Sequence, residues 1–368
     1  MDISTMAIQP AVDIDLEIVE PKEFKPKPKD DELTFGNVFT DRMLLREYHD
    51  GQWNKGTIKP FENFSLSPAT AVFHYGQEIF EGLKAFRQVN GNIVIFRPDQ
   101  NAKRMIKSAD RMVIPSVSEE YFLSSLDRLV EMEQDWVPKK RGTALYIRPT
   151  MIATEPALGV HPSSSYYYYV ILSPSGPYFK EGFSPTKILV EDHYTRAAKG
   201  GTGSAKAGGN YGGSLIAGKK AREEGYSQVL WLDAKERRYV EEVGAMNIAF
   251  VLDDTVYTPP LTGSILPGIT RKSIIQLCED LGITLRQEAL PINTIIESIK
   301  SGNLTEIFGM GTAASVAPVG EIKYTDQVLK LNDGKIGEIT QMLYDELTGI
   351  QYGEKEDQHG WIHTVVEN

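Results

Sequence analysis

The stretch Lys199-Gly200-Gly201-Thr202-Gly203-Ser204-Ala205-Lys206-Ala207-Gly208-Gly209-Asn210-Tyr211-Gly212-Gly213 sets seven glycines around two lysines, an asparagine and a tyrosine within fifteen positions. Glycine lets the backbone take φ > 0 and lets other groups approach closely. Lys206 sits in the middle of this small-residue nest. Two chemistries use a lysine among glycines: a phosphate-cradling P-loop, and a lysine that holds a carbonyl cofactor as a Schiff base. The first requires G-x-x-x-x-G-K-[ST], with glycine before the lysine and a metal-binding hydroxyl after it. Here Ala205 precedes Lys206 and Ala207 follows it, so that reading fails. Flanking alanines shield the amine from water, which suits a nucleophile toward an aldehyde. A glycine-rich surface loop with a solvated lysine fits the same fifteen residues equally well.

The chain around it, at 368 residues, is too long for one compact core and predicts two domains. Hydrophobic residues at 41% and charged residues at 24% are ordinary for a soluble globular protein. A net charge of −11 with no long basic stripe disfavours nucleic-acid binding. The single cysteine, Cys278, excludes an internal disulfide framework and suits a reducing compartment. It stands at helical spacing from Leu281, which predicts a buried thiol. Met1 to Pro21 carries acidic residues among apolar ones, unlike a signal peptide. No apolar run approaches the ~20 residues that span a bilayer. The expectation is a soluble, cytoplasmic protein without membrane contact.

Taken in order, Lys25 to Lys29 reads as an extended, solvated lead-in, and Phe39 to Phe64 as strands and turns. Phe73 to Phe86 is rich in aromatic residues and fits either a core strand or a pocket wall. After Pro98 the apolar residues Ala102, Met105, Ile106, Ala109 and Met112 recur at helical spacing, with Lys103, Arg104, Lys107 and Arg111 between them. A second helix is expected from Ser118 to about Trp136, then strands at 144–149 and 166–172. Ser173-Pro174-Ser175-Gly176-Pro177 reads as a break. This places a linker at 173–184 between domains 1–172 and 185–368. Beyond it are expected a strand at 187–190, the lysine loop, and a helix from Tyr211 to Glu224 with Lys219–Glu223 and Lys220–Glu224 pairs. Strands follow at 228–232, 238–243 and 247–252, with another reaching Thr258. Leu266-Pro267-Gly268 opens a helix to about Leu281, whose unpaired N–H groups suit a phosphate. Phe308 to Ser315 reads as a second small-residue loop with hydroxyls. The fold class is α/β, of mixed α+β type.

Several of these pieces form a pattern. Phe73-His74-Tyr75 with Phe80-Glu81-Gly82, Tyr146-Ile147-Arg148-Pro149, Glu155-Pro156 with Leu158-Gly159-Val160, Gly176-Pro177-Tyr178-Phe179, Gly208-Gly209-Asn210-Tyr211, Glu242-Val243-Gly244, Leu266-Pro267-Gly268, and Phe308-Gly309 with Gly311-Thr312-Ala313 occur in this order. In them the chain resembles the branched-chain amino acid aminotransferases, pyridoxal-phosphate enzymes of fold type IV, from about Phe35 to Trp361. The resemblance implies a homodimeric two-domain transaminase. It would move the amino group of leucine, isoleucine or valine to 2-oxoglutarate by ping-pong transfer through pyridoxamine phosphate. Other fold type IV enzymes, such as D-amino acid aminotransferase or aminodeoxychorismate lyase, are the alternative.

By the same resemblance Lys206 holds pyridoxal phosphate and shuttles the proton between Cα and C4′. Glu242 pairs with the pyridine nitrogen. In a strand only one of Glu241 and Glu242 can reach the ring, and the Glu-Val-Gly match selects Glu242, leaving Glu241 a solvated role. Tyr211 bonds the phenolic oxygen. Arg104, the N–H groups of Ile269 and Thr270, and the Thr312 hydroxyl hold the phosphate, and Leu266 packs on the ring. Tyr75, Phe80, Tyr178 and Val160 wall the substrate pocket, with Val160 reaching in from the partner subunit. Tyr146 and Arg148 orient glutamate's distal carboxylate, and the Thr312-Ala313 amides receive the α-carboxylate. No metal is implied. Two departures stand out: Ala314 and Ala317 replace the Cys-x-x-Cys of some animal members, and Ala245 follows Glu-Val-Gly where a hydroxyl residue is frequent.

Overall fold

The computed structural model describes residues 14–176 and 183–368. Contacts divide the chain into two units, one of Met1–Tyr178 with Ala205–Gly208 and Gly349–Asn368, the other of Phe179–Ser204 with Gly209–Thr348. The expected division at 173–184 falls close to the first of these boundaries. It assigned everything beyond 185 to the second domain, whereas 205–208 and 349–368 group with the first. The reason is hydrogen bonding: Ala207 bridges to Ile79, and Ile362–Val366 pairs with Ile93–Phe96.

The first unit holds a ten-stranded sheet. Its main path runs Glu17–Ile18, Thr57–Pro60, Arg42–His49, Tyr166–Ser175, Ala144–Ala153, Leu83–Arg87, Ile93–Phe96, Ile362–Val366, while Glu78–Phe80 also pairs with Ala144–Ala153. Side chains alternate between the two faces of a strand. One face sends Ile79, Leu83, Ala85, Leu145, Ile147, Met151, Val170 and Leu172 into a core closed by Ala102, Met105 and Ala109 of helix Pro98–Met112 and by Phe122, Leu126 and Leu129 of helix Glu119–Met132. Ser118 caps the latter, its hydroxyl accepting from Tyr121 N at 3.1 Å. The other face carries Glu78, Phe80, Lys84, Tyr146, Arg148 and Thr150, placed there by the pairs Glu78↔Ile152, Phe80↔Thr150 and Lys84↔Tyr146.

The second unit holds a nine-stranded sheet of mixed direction, ordered Val240–Val243, Gln228–Leu232, Thr186–Glu191, Ser315–Tyr324, Leu304–Gly311, Asn247–Leu252, Thr255–Thr258, Leu285–Gln287, with Gln327–Lys330 beside Ser315–Tyr324. Its core joins Ile188, Leu230, Ile248, Phe250 and Ile307 to Ile292, Ile295 and Ile296 of helix Ile292–Ser301. Helix Ile269–Asp280 buries Cys278 as expected, and burial pushes its thiol up to about 12.

Several local expectations differ from what forms. Phe73–Phe86 is not one strand: helix Ala71–Tyr75 ends at Gly76 in the left-handed region, φ 58°, and two short strands follow. Ser173 to Ser175 does not break the chain but continues the strand, buried opposite Ala144 to Tyr146. The strand expected from Arg238 starts at Val240, because Asp233 gathers the N–H groups of Lys235, Glu236, Arg238 and Tyr239 into a loop. The helix expected over 211–224 forms as two pieces, Gly209–Gly212 and Leu215–Glu223. Its Lys219–Glu223 pair forms at 2.6 Å, but Glu224 bonds Lys323 instead and Lys220 stands over the Tyr194 ring.

Candidate active site

In the first unit the backbone of Lys206 lies along the edge strand Glu78–Phe80. Phe80 N–H donates to Lys206 O at 3.0 Å, and Lys206 N–H donates to the Ser108 hydroxyl at 3.0 Å. Ala205 and Ala207 are both buried, so the lysine is flanked by the packing its neighbours suggested, and its own side chain is half-buried. Its Nζ stands 4.8 Å from the Phe80 ring centroid. The Arg148 guanidinium stands 4.6 Å from the same ring and donates to the Tyr146 hydroxyl at 3.0 Å. A Cβ on Gly82 would lie 2.1 Å from that hydroxyl, so the glycine leaves room for Tyr146. Lys206, Phe80, Arg148 and Tyr146 are thus brought together on one sheet face.

Arg104 is 7% exposed, so it is not one more solvated cation on the basic face of this helix. Its fork is given to Glu81, Nε to Oε1 at 2.8 Å and Nη2 to Oε2 at 2.7 Å, and Asn101 donates to the same Oε2 at 2.7 Å. At least two of its five N–H groups are therefore spent inside the protein, which the phosphate role expected for it did not anticipate. The surface cations are its neighbours: Lys103 pairs with Asp99 and Glu119.

In the second unit Glu242 is 3% exposed in strand Val240–Val243. Arg196 forms an ion pair with its carboxylate, and Asn247 Nδ2 donates to it at 3.1 Å while also donating to Leu266 O at 2.9 Å. Arg196 further donates to Ser264 O at 2.7 Å. Glu241 corrects the sequence reading. Rather than solvated it is 8% exposed, and its carboxylate accepts from the Ser264 hydroxyl. Burial raises its pKa, partly offset by that hydrogen bond. Both faces of this strand are covered, so alternation separates the two glutamates without exposing either.

Asn247 Oδ1 also lies where a side chain on Gly268 would go, 2.0 Å from a Cβ built there. Gly268 precedes helix Ile269–Asp280, whose first turn has no side-chain cap and whose Ile269 and Thr270 are buried, as is Leu266. Phe308 to Gly311 belongs to a strand rather than a loop; Thr312, Ala313 and Ala314 alone make the turn, closed by the Gly311↔Ser315 pair with Ser315 at φ 59°. Met246 packs onto both glycines of that strand, within 3 Å of a Cβ at either Gly309 or Gly311. Tyr211 is half-buried in the short helix Gly209–Gly212, and Asn210 beside it ties the lysine loop together, donating to Thr202 O at 2.8 Å.

The expected pocket walls fare differently. Tyr75 is 42% exposed in the single chain, its hydroxyl donating to Leu158 O, and Val160, expected to act in the partner's pocket, is 81% exposed. Tyr178 lies outside the described residues. Residues absent from the sequence reading are Ser108, Arg196, Asn247 and Ser264. Ser108 carried a signal, being one helical turn beyond Arg104. The described residues include no cluster of His, Cys, Asp or Glu able to hold a metal ion, and no helix long and apolar enough to cross a membrane.

Residues 78–322 match the model of the amino-transferase class IV family. The chain is 48% identical to branched-chain-amino-acid aminotransferase 2 of Bacillus subtilis over 93% of its own length and 94% of that protein's. Among solved structures it is similar to the branched-chain amino acid aminotransferase of Escherichia coli, with TM-score 0.72 and 29% identity over 89% of this chain and 99% of that one. It is similar too to the branched-chain aminotransferase of the thermophilic archaeon Thermoproteus uzoniensis, solved with norvaline, with TM-score 0.71 and 26% identity over 88% of this chain and 100% of that one.

Proposed function

We propose, for a chain that belongs to the class IV aminotransferases, that it transfers the amino group of leucine, isoleucine or valine to 2-oxoglutarate, giving branched-chain 2-oxo acids and L-glutamate, in branched-chain amino acid synthesis or breakdown. The relatives named above support the substrate class. The observation that carries the reading within the molecule is the face on which Lys206 and Arg148 meet the same Phe80 ring. It sets an amine beside an apolar surface and a carboxylate-binding guanidinium, which are the two side-chain chemistries that the substrates present.

Pyridoxal phosphate is the implied cofactor, and the residues fit it. The chain supplies a lysine between buried alanines, a buried carboxylate fixed by Asn247, and a helix start with no side-chain cap. When bound, the cofactor supplies the carbonyl carbon that accepts nitrogen and a ring that withdraws electrons from Cα. Lys206 holds it, and its Nζ takes and returns the proton of the substrate Cα. Glu242, ion-paired with Arg196, holds the proton on the ring nitrogen. Tyr211 donates to the phenolic oxygen, and Leu266 covers one ring face. Arg104, the N–H groups of Ile269 and Thr270, and the Thr312 hydroxyl hold the phosphate. Thr312 and Ala313 amides take the α-carboxylate, Tyr146 and Arg148 the distal one. Tyr75, Phe80 and Tyr178 shape the pocket, completed by Val160 from the partner of a cytoplasmic homodimer.

The test is the visible absorption spectrum of the purified protein with and without leucine, for wild type and Lys206→Ala. A yellow band that leucine bleaches in wild type, and that Lys206→Ala does not reproduce, is the expected result. Bleaching by D-alanine but not by leucine moves the chain to another fold type IV enzyme. Absence of any band after reconstitution with pyridoxal phosphate overturns the reading.

A further inference from the structure

Glu78 shares the sheet face of Phe80, Tyr146 and Arg148, set there by its pairing with Ile152 and by Phe80 opposite Thr150. No role above uses it. Its carboxylate is half-buried and lies against the lysine segment: a Cβ on Gly208 would stand 1.6 Å from Glu78 Oε1, so this glycine is the space the carboxylate fills. Among the described residues its side chain makes no hydrogen bond or ion pair. Burial raises its pKa, and Arg148 pulls the other way through space. Arg148 itself donates to Tyr146, while its buried Nε has no partner among the described residues.

A pocket that alternates between an apolar side chain and a carboxylate faces an electrostatic conflict. A lone buried guanidinium is costly when the substrate is apolar, and one fully paired within the protein has nothing left for a carboxylate. A carboxylate near Arg148 but out of contact offsets its charge without occupying its donors. We propose that Glu78 is the counter-charge of Arg148 and sets the balance between apolar and dicarboxylic substrates, weakening the hold on the distal carboxylate so that leucine and 2-oxoglutarate are bound by one site. The inference rests on the transamination reading above.

The experiment measures KM and kcat for the two amino acceptors in steady-state transamination by the cofactor-loaded enzyme, 2-oxoglutarate with leucine as amino donor against 4-methyl-2-oxopentanoate with glutamate as donor, for wild type, Glu78→Gln and Glu78→Asp. Removing the charge should lower KM for 2-oxoglutarate by roughly three- to tenfold, the size expected for one charge several ångströms from another at a half-buried site. KM for the branched-chain oxo acid should not fall with it, kcat should stay within about twofold for both, and Glu78→Asp should keep the wild-type ratio. A second arm needs no variant: lowering pH protonates Glu78 and should lower the KM ratio in wild type but not in Glu78→Gln. The other titratable groups facing it, Arg148 and Tyr169 from the neighbouring strands and Lys206 from the segment packed on it, are common to both proteins. An unchanged ratio in Glu78→Gln, or equal shifts for both oxo acids, overturns the proposal. Wild-type protein that transaminates neither substrate overturns the function reading instead.

Discussion

The backbone N–H of Lys206 donates to the hydroxyl of Ser108 at 3.0 Å, so the helix that carries Arg104 also fixes where the lysine leaves the chain. Ser108 is buried, which shields that hydrogen bond. Ser108→Ala should leave a buried donor unsatisfied and cost about 1–3 kcal/mol. Part of that cost should appear in the reaction, because the lysine gains freedom at its own Cα: kcat should fall more than KM changes, and Ser108→Thr should recover most of it. Steady-state kinetics beside a denaturant midpoint checks this, and equal kcat for Ser108→Ala and wild type rejects it.

Arg104 and Glu81 form a buried pair with the bidentate geometry that lysine cannot reproduce. Breaking it from either side strands a buried charge, which costs about 3–5 kcal/mol. Arg104→Ala and Glu81→Ala should each lower stability by that order, and Arg104→Lys should rescue little. Replacing both with apolar residues, Arg104→Met with Glu81→Leu, should restore stability above either single variant while leaving pyridoxal phosphate poorly held. Urea melts of wild type and the four variants, with cofactor release followed by absorbance, separate the structural part of Arg104 from the phosphate role proposed for it.

Much of this molecule is legible from local pattern. The spacing of Ala102, Met105 and Ala109 gives the helix and its buried face, and Ser118 gives the start of the next. The motif residues Phe80, Tyr146 and Arg148 are found by resemblance and gathered by pleating. What escapes are partners distant in sequence. Glu241 is buried by a serine 23 residues away. Lys206 is fixed by a serine 98 residues before it. The strand Ile362–Val366 crosses back to Ile93–Phe96, which no window of local periodicity can reveal. Arg104 is an intermediate case: its helix is plain from sequence, but its commitment to Glu81 depends on a strand end 23 residues earlier.

Cys278 gives a pH prediction with a definite sign. Burial raises its thiol from 9.0 to about 12, so at pH 8 the native protein holds no thiolate and should not react with a thiol-specific disulfide reagent until unfolded. Above the unfolded value of 9.0 the unfolded chain loses this proton while the native one keeps it. The cysteine's contribution to stability is therefore full below pH 9 and declines as pH rises toward 12. Comparing wild type with Cys278→Ala by denaturation at pH 8 and pH 10.5 isolates it. The difference between the two proteins should shrink at the higher pH, and a constant difference would falsify the assignment.

Gly268 and Asn247 form a coupled pair. The asparagine holds Glu242 and the Leu266 carbonyl with one amide nitrogen, and its oxygen fills the space above the glycine. Gly268 has φ −67°, a conformation alanine adopts freely, so the cost of Gly268→Ala is steric rather than torsional. Asn247 is buried and Gly268 half-buried, which puts the overpacking at about 1–3 kcal/mol. Asn247→Ala alone removes the brace of Glu242 and should weaken cofactor binding. Combining the two removes the clash, so the double variant should be less destabilised than the sum of the singles by more than about 0.5 kcal/mol, the limit for independent sites. A double-mutant cycle on thermal stability measures the coupling. Cofactor binding should follow Asn247 alone, because shape at Gly268 is restored in the double variant while the amide that steadies Glu242 is not.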